Sequence, residues 1–193
     1  MPADARARSL PWTNDPKAAT LIASDAFALL VGFLLDQQVP MEWAFGAPYT
    51  LKQRLGGKLG ARQVARMEPE KLEAAFREKP PLHRYPNSMA RRTKTLAELV
   101  VKDYGGDAAR IWSDGVDAEA VVKRIAKLPG FSAHKGRVIV GVLAKQLGVQ
   151  PDGWERVAPD WFSLADVDTP EALRQYRDIK RAAKRAGNWP PSK

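Results

Sequence analysis

The sequence predicts an all-α protein with two helical lobes around a cleft, on three observations. Apolar residues recur at helical spacing in one segment after another. No stretch alternates with period two over a convincing length. Pairs such as Gly56-Gly57, Pro80-Pro81 and Gly105-Gly106 punctuate the chain at intervals that suit helices. With 45% hydrophobic and 27% charged residues in 193, the composition is globular, enough for one substantial core or two small lobes sharing a cleft.

Residues 1–18 are polar and proline-containing and read as an N-terminal arm. From Ala19 to Gln38 the residues Leu21, Ile22, Phe27, Leu30, Val31, Leu34 and Leu35 make a helix hydrophobic nearly all round, hence the central buried one. Pro40 limits its end. Short helices follow over Met41 to Phe45 and Thr50 to Leu55. Glu68-Pro69-Glu70 starts another, with Leu72, Ala75 and Phe76 on one face. Ser88 is placed to cap a long helix to Tyr104, ended by Gly105-Gly106. Helices over Val116 to Lys127 and Ala133 to Leu147 flank Leu128-Pro129-Gly130. Thr169 or Asp168 caps, and Pro170 opens, a basic helix to Ala186, with Leu173, Tyr176 and Ile179 inward. The chain thus divides into an arm (1–18), helical lobes (19–165, with a hairpin at 116–147) and a basic C-terminal helix (170–186), all one unit.

Composition excludes several chemistries. The absence of cysteine removes disulfides, iron–sulfur clusters and thiol nucleophiles, and two histidines, His83 and His134, are too few for an all-protein zinc site. No metal and no cofactor is expected. The longest apolar run, Ala26 to Leu35, is about half a membrane span, so no membrane partner is expected either. A net charge of +9 points to a polyanion, nucleic acid first.

The stretch Leu128-Pro129-Gly130-Phe131-Ser132-Ala133-His134-Lys135-Gly136-Arg137 carries the sharpest signal. A tight turn beside a helix N-terminus directs backbone amides outward, where they suit a phosphate, and His134, Lys135 and Arg137 sit at its mouth. The bland alternative is a packing corner between two helices, since Pro-Gly is a common turn.

This stretch resembles the helix-hairpin-helix of the DNA glycosylases of the helix-hairpin-helix, glycine/proline-rich, aspartate superfamily. Leu128, Pro129, Gly130 and the hydrophobic Phe131 match its pattern, while Ser132 replaces a second glycine, His134 the usual lysine and Lys135 a threonine. Tyr85-Pro86-Asn87-Ser88-Met89-Ala90-Arg91 and Leu34-Leu35-Asp36-Gln37-Gln38 are similar to two further segments of endonuclease III-like members, in the same order. Together they cover about residues 20 to 155.

The resemblance implies excision of a damaged or mismatched base from double-stranded DNA, by a monomer associated with the nucleoid in the cytoplasm. It implies a catalytic aspartate eighteen residues beyond the lysine place, which falls on Asp152, with Asp160 as runner-up. Asp152 in Pro-Asp-Gly-Trp also reads as a turn aspartate. With His134 in the lysine place and Lys135 turned about 100° away, lyase chemistry is not expected and monofunctional hydrolysis is. Gln38 is placed at the DNA, filling the gap a flipped base leaves, unless it or Gln37 caps a turn. The hairpin residues Gly130, Ser132, His134, Lys135 and Arg137, with Arg91 and Arg92, complete the DNA contacts. A second basic cluster, Arg174 to Arg185, competes for the backbone, and Trp43, Trp112, Trp154, Trp161 and Trp189 are candidates for stacking on an extruded base, Trp43 and Trp154 first among them and core packing the alternative. The rival readings are a catalytically silent DNA-binding protein and, from another class, a small helical interaction protein.

Overall fold

The apolar run after Ala19 is two helices rather than one. Asp25 stands inside it with extended backbone, and its carboxylate accepts the Ala28 amide, so it closes α1 (Pro16–Ser24) and caps α2 (Ala26–Leu35). The pair is bent by 114° there. In this computed structural model, which describes residues 9–189, ten further helical segments follow, one of them a 3-10 turn, and the described residues contain no strand.

Helix α2 is the predicted central helix, buried from Phe27 to Leu35. Gly32 admits a neighbour that no other residue would, since a Cβ there would lie 2.6 Å from Phe45 Cδ1. Trp12, Phe33 and Phe45 meet edge-on with ring centroids 4.9 to 5.8 Å apart. Leu10 and Trp12 are fully buried, and Trp12 Nε1 donates to the Val167 carbonyl at 3.0 Å. Within the expected arm, Leu10 and Trp12 are therefore core, because the large indole gains more by burial than a polar context suggests, while Asn14 to Lys17 are exposed; residues 1–8 lie outside the described residues.

One helix, α3 (Met41–Arg54), replaces the two short ones expected and carries Pro48, itself buried, in its interior. Next come α4 (Ala61–Arg66), α5 (Pro69–Arg77) and α6 (Pro86–Tyr104). Tyr85, not Ser88, occupies the cap position of α6, because Pro86 already fits its first turn. Leu72, Ala75 and Phe76 are buried as expected. Lys94 Nζ donates to the carbonyls of Ala65 and Met67, closing the end of α4 on α6.

The second half holds α7 (Arg110–Ser113), α8 (Ala118–Ala126), α9 (Ala133–Lys145), α10 (Trp154–Val157), a 3-10 turn over Leu164–Asp166, and α11 (Pro170–Arg185). Helix α8 packs on α9, α4 and α5 on α6, α1 and α2 on α3, and the 3-10 turn returns onto α9. Thr169 caps α11 by accepting the Ala172 amide. That helix buries only Leu173 and Tyr176; Ile179, expected inward, is 39% exposed, because it is Lys180, one place on, that faces Asp36 and the cavity. A continuous apolar core joins both halves.

Candidate nucleic-acid interface and cavity

The site forms where the C-terminus of α2 meets the N-terminus of α9. Gly130 makes the turn between α8 and α9 with φ +82°, and a Cβ on it would lie 2.8 Å from Leu34 Cδ1 of α2. Glycine is thus required twice, by the backbone and by the close approach. Ser132 then caps α9, its hydroxyl accepting the Lys135 amide at 3.2 Å while its carbonyl accepts that of Gly136 at 2.9 Å. Ser132 in the second-glycine place supplies this cap. The amides of Ala133 and His134, first in the helix, have no carbonyl one turn earlier to bond and point out at the helix mouth.

Beside this mouth lies a cavity of about 310 Å³ lined by Asp36 and Gln38 from the turn after α2, His134 and Lys135 from α9, and Tyr176 and Lys180 from α11, among others. Lys135 reaches through it: its ammonium donates to the Phe33 carbonyl, sits 5.5 Å from the Phe131 ring centre, and feels the Asp36 charge. Burial pushes its pKa down to about 8, against a smaller raising effect of Asp36. The sequence argument turned Lys135 away from the cleft. Adjacent Cα atoms are only ~3.8 Å apart, however, so a lysine one place late still reaches the same wall. His134 stacks on Trp161 at 5.5 Å and 13°, and burial, then Arg137, hold its pKa below the usual histidine value.

The paired glutamines divide their work. Gln37 donates to the Leu34 carbonyl at 2.7 Å and accepts from Arg92 at 3.3 Å, while its own carbonyl meets His83 Nε2 at 2.9 Å. Gln38 is left exposed with φ +58°, a left-handed backbone at the cavity edge. Buried His83 accepts the Tyr85 amide at Nδ1, so Nε2 carries the hydrogen towards Gln37; burial is the main cause lowering its pKa. The sequence marks His83 only in the zinc count and Trp161 only as one of five candidate stacking tryptophans, since neither belongs to a spacing pattern.

Other expected residues lie elsewhere. Asp152 is exposed, and its carbonyl accepts the Ala118 amide at the start of α8. Helix α8 spans nine residues, about 14 Å, so Asp152 sits at the opposite end of the hairpin from Gly130 and lines no part of the cavity. Counting along the sequence missed this because the chain after α9 continues past the count before turning back. It returns along α9, Pro159 near Gly141 and Trp161 against His134, which brings the neighbourhood of Asp160 to the cavity side. Arg91 is exposed and paired with Glu73 at 2.8 Å. Trp43 donates to the Pro81 carbonyl and Trp154 packs on the core; Trp189 instead lines the cavity. From the second basic cluster, Arg177 pairs with Glu42 and Lys180 with Asp36, whereas Arg174 and Arg181 pair within α11.

No protein-family model and no curated protein matches the chain. Among solved structures it is similar to a thermostable thymine-DNA glycosylase, with 14% identity over 89% of this chain and 79% of that one, at a TM-score of 0.51. It is also similar to endonuclease III in a trapped DNA covalent intermediate (an estranged-adenine complex) and in a non-covalent DNA complex, with 20% and 18% identity and TM-scores of 0.47 and 0.46. Each of these matches covers 79% of this chain and spans 66% and 65%, respectively, of the endonuclease III chains. With its hairpin, its all-helical architecture and its likeness to the thymine-DNA glycosylase structure, the chain has the helix-hairpin-helix DNA glycosylase fold.

Proposed function

We propose that this protein binds double-stranded DNA through the α8–α9 hairpin and excises a damaged or mismatched base held in the adjacent cavity. The observation that carries this reading is the junction itself. Outward amides at the α9 mouth lie beside a cavity walled by Lys135, His134, Gln38 and Asp36. Amides and cations position a phosphate backbone without reading sequence. A flipped nucleotide then enters a pocket of aromatic and polar side chains, Tyr176 and Trp189 among them.

Hydrolysis of the N-glycosidic bond needs only water, a proton acceptor and charge facing the sugar. A lyase step needs a neutral amine, and Lys135 with a pKa of about 8 holds about a tenth of its amine neutral at pH 7. The sequence reading of purely monofunctional chemistry is therefore put to the same test.

The test incubates the protein with duplexes carrying uracil, alkylated purines, 8-oxoguanine or a G·T mismatch, followed by alkali, with borohydride in a parallel arm. Strand cleavage only after alkali supports a monofunctional glycosylase, and a borohydride-trapped adduct supports the amine route. The bond from Lys135 to the Phe33 carbonyl favours a second reading, in which this lysine only clips the hairpin to α2 and the protein binds DNA without chemistry. Salt-dependent binding with every duplex left intact is its signature.

A further inference from the structure

Among the described residues, Asp36 is the single acidic one lining the cavity. It ends α2, and its side chain is only 13% exposed. Lysines face it from two elements. Lys135 of α9 feels its charge, and Lys180 Nζ of α11 stands 3.8 Å from Oδ2, too long for a tight hydrogen bond. Its backbone is fixed from behind: Gln37, the next residue, is bonded through its side chain to the Leu34 carbonyl and Arg92, and through its carbonyl to His83. A carboxylate held in a cavity with one oxygen in a long ion pair retains capacity to accept another proton donor.

We propose that Asp36, rather than an aspartate after the hairpin, is the catalytic carboxylate of this cavity; the inference rests on the glycosylase reading above. As the C1′–N bond breaks, its electron pair leaves with the base and the oxygen of a water bonds to C1′. Asp36 faces the positive charge developing on the sugar and takes the water's proton. That proton passes to the departed base, so the products are a free base and an abasic sugar. Lys135 and Lys180 face the carboxylate from α9 and α11.

The experiment compares wild type with Asp36→Asn, Asp36→Glu, Asp152→Asn and Asp160→Asn on the duplex that wild type cleaves. Affinity is measured separately on a duplex carrying a tetrahydrofuran abasic analogue, and folding by circular dichroism. Asp36→Asn is expected to slow base release about a hundredfold or more. Its affinity for the analogue duplex should stay within about threefold of wild type or tighten, since a negative charge near phosphate has gone. Partial activity in Asp36→Glu supports the role. Wild-type rates in a folded Asp36→Asn, or loss of rate in Asp152→Asn or Asp160→Asn instead, overturn the inference and leave the glycosylase reading standing. Failure of wild type to release any base from the panel overturns that reading, and the role of Asp36 with it.

Discussion

The Lys135 ammonium donates to the carbonyl of Phe33, 102 residues earlier in the chain. Phe33 lies in the last turn of α2, where carbonyls lack helical partners and the dipole favours a cation. One side chain thereby joins the hairpin to the central helix and walls the cavity.

Lys135 should titrate early. Acylation of the folded protein across a pH series, read residue by residue by peptide mass, should place its midpoint near 8, while exposed lysines follow at about 10.4. Between these values the unfolded chain still binds the proton that the folded chain has released, so this residue makes stability rise with pH across that window. Lys135→Met should flatten that rise in urea unfolding; an unchanged slope would assign it to another group.

His83 gives a second pH signature. Its folded pKa is lowered by burial, so below about 6.5 the unfolded state binds a proton that the folded state resists. Its contribution is complete above that value and falls away as pH drops towards the folded pKa. His83→Gln should weaken this acid loss; since it anchors the Gln37 carbonyl, it should also loosen the turn carrying Asp36 and Gln38, visible as faster amide exchange at 36–39.

Gly130→Ala meets both a left-handed backbone and Leu34 Cδ1 at 2.8 Å. Denaturant unfolding should show a loss of about 1–3 kcal/mol. DNA affinity should fall as well, because the turn that aims the α9 amides is displaced. A substitution with no effect on either would separate the turn from the interface.

DNA affinity should decline linearly in log–log against salt. Arg137→Ala at the hairpin and Lys184→Ala on α11 should each reduce the slope by about one if both faces touch phosphate. Should only Arg137→Ala do so, the basic stripe of α11 serves the cavity and the surface rather than the duplex. Among the described residues no single helix is long and apolar enough to cross a membrane, so vesicle binding is the natural control for that stripe.

Local rules were enough for much of this molecule. The absence of period-two alternation, the buried character of α2, the starts at Pro69 and Pro170 and the turn at Gly130 all follow from side-chain chemistry within a few residues of each position. Where sequence reasoning departed from the structure, distant contacts decided. Trp12 is core because the Val167 carbonyl and two phenylalanines receive it, and α3 runs on through Pro48, which is buried. Sequence by itself determined the helix-hairpin-helix and its cations, since a glycine turn and a capped helix are local objects. Only the tertiary structure decided which charges share a cavity. Asp36, Lys135 and Lys180 come from three helices or their ends, and a count along the chain, which led to Asp152, carries no information about where a returning loop brings it in space.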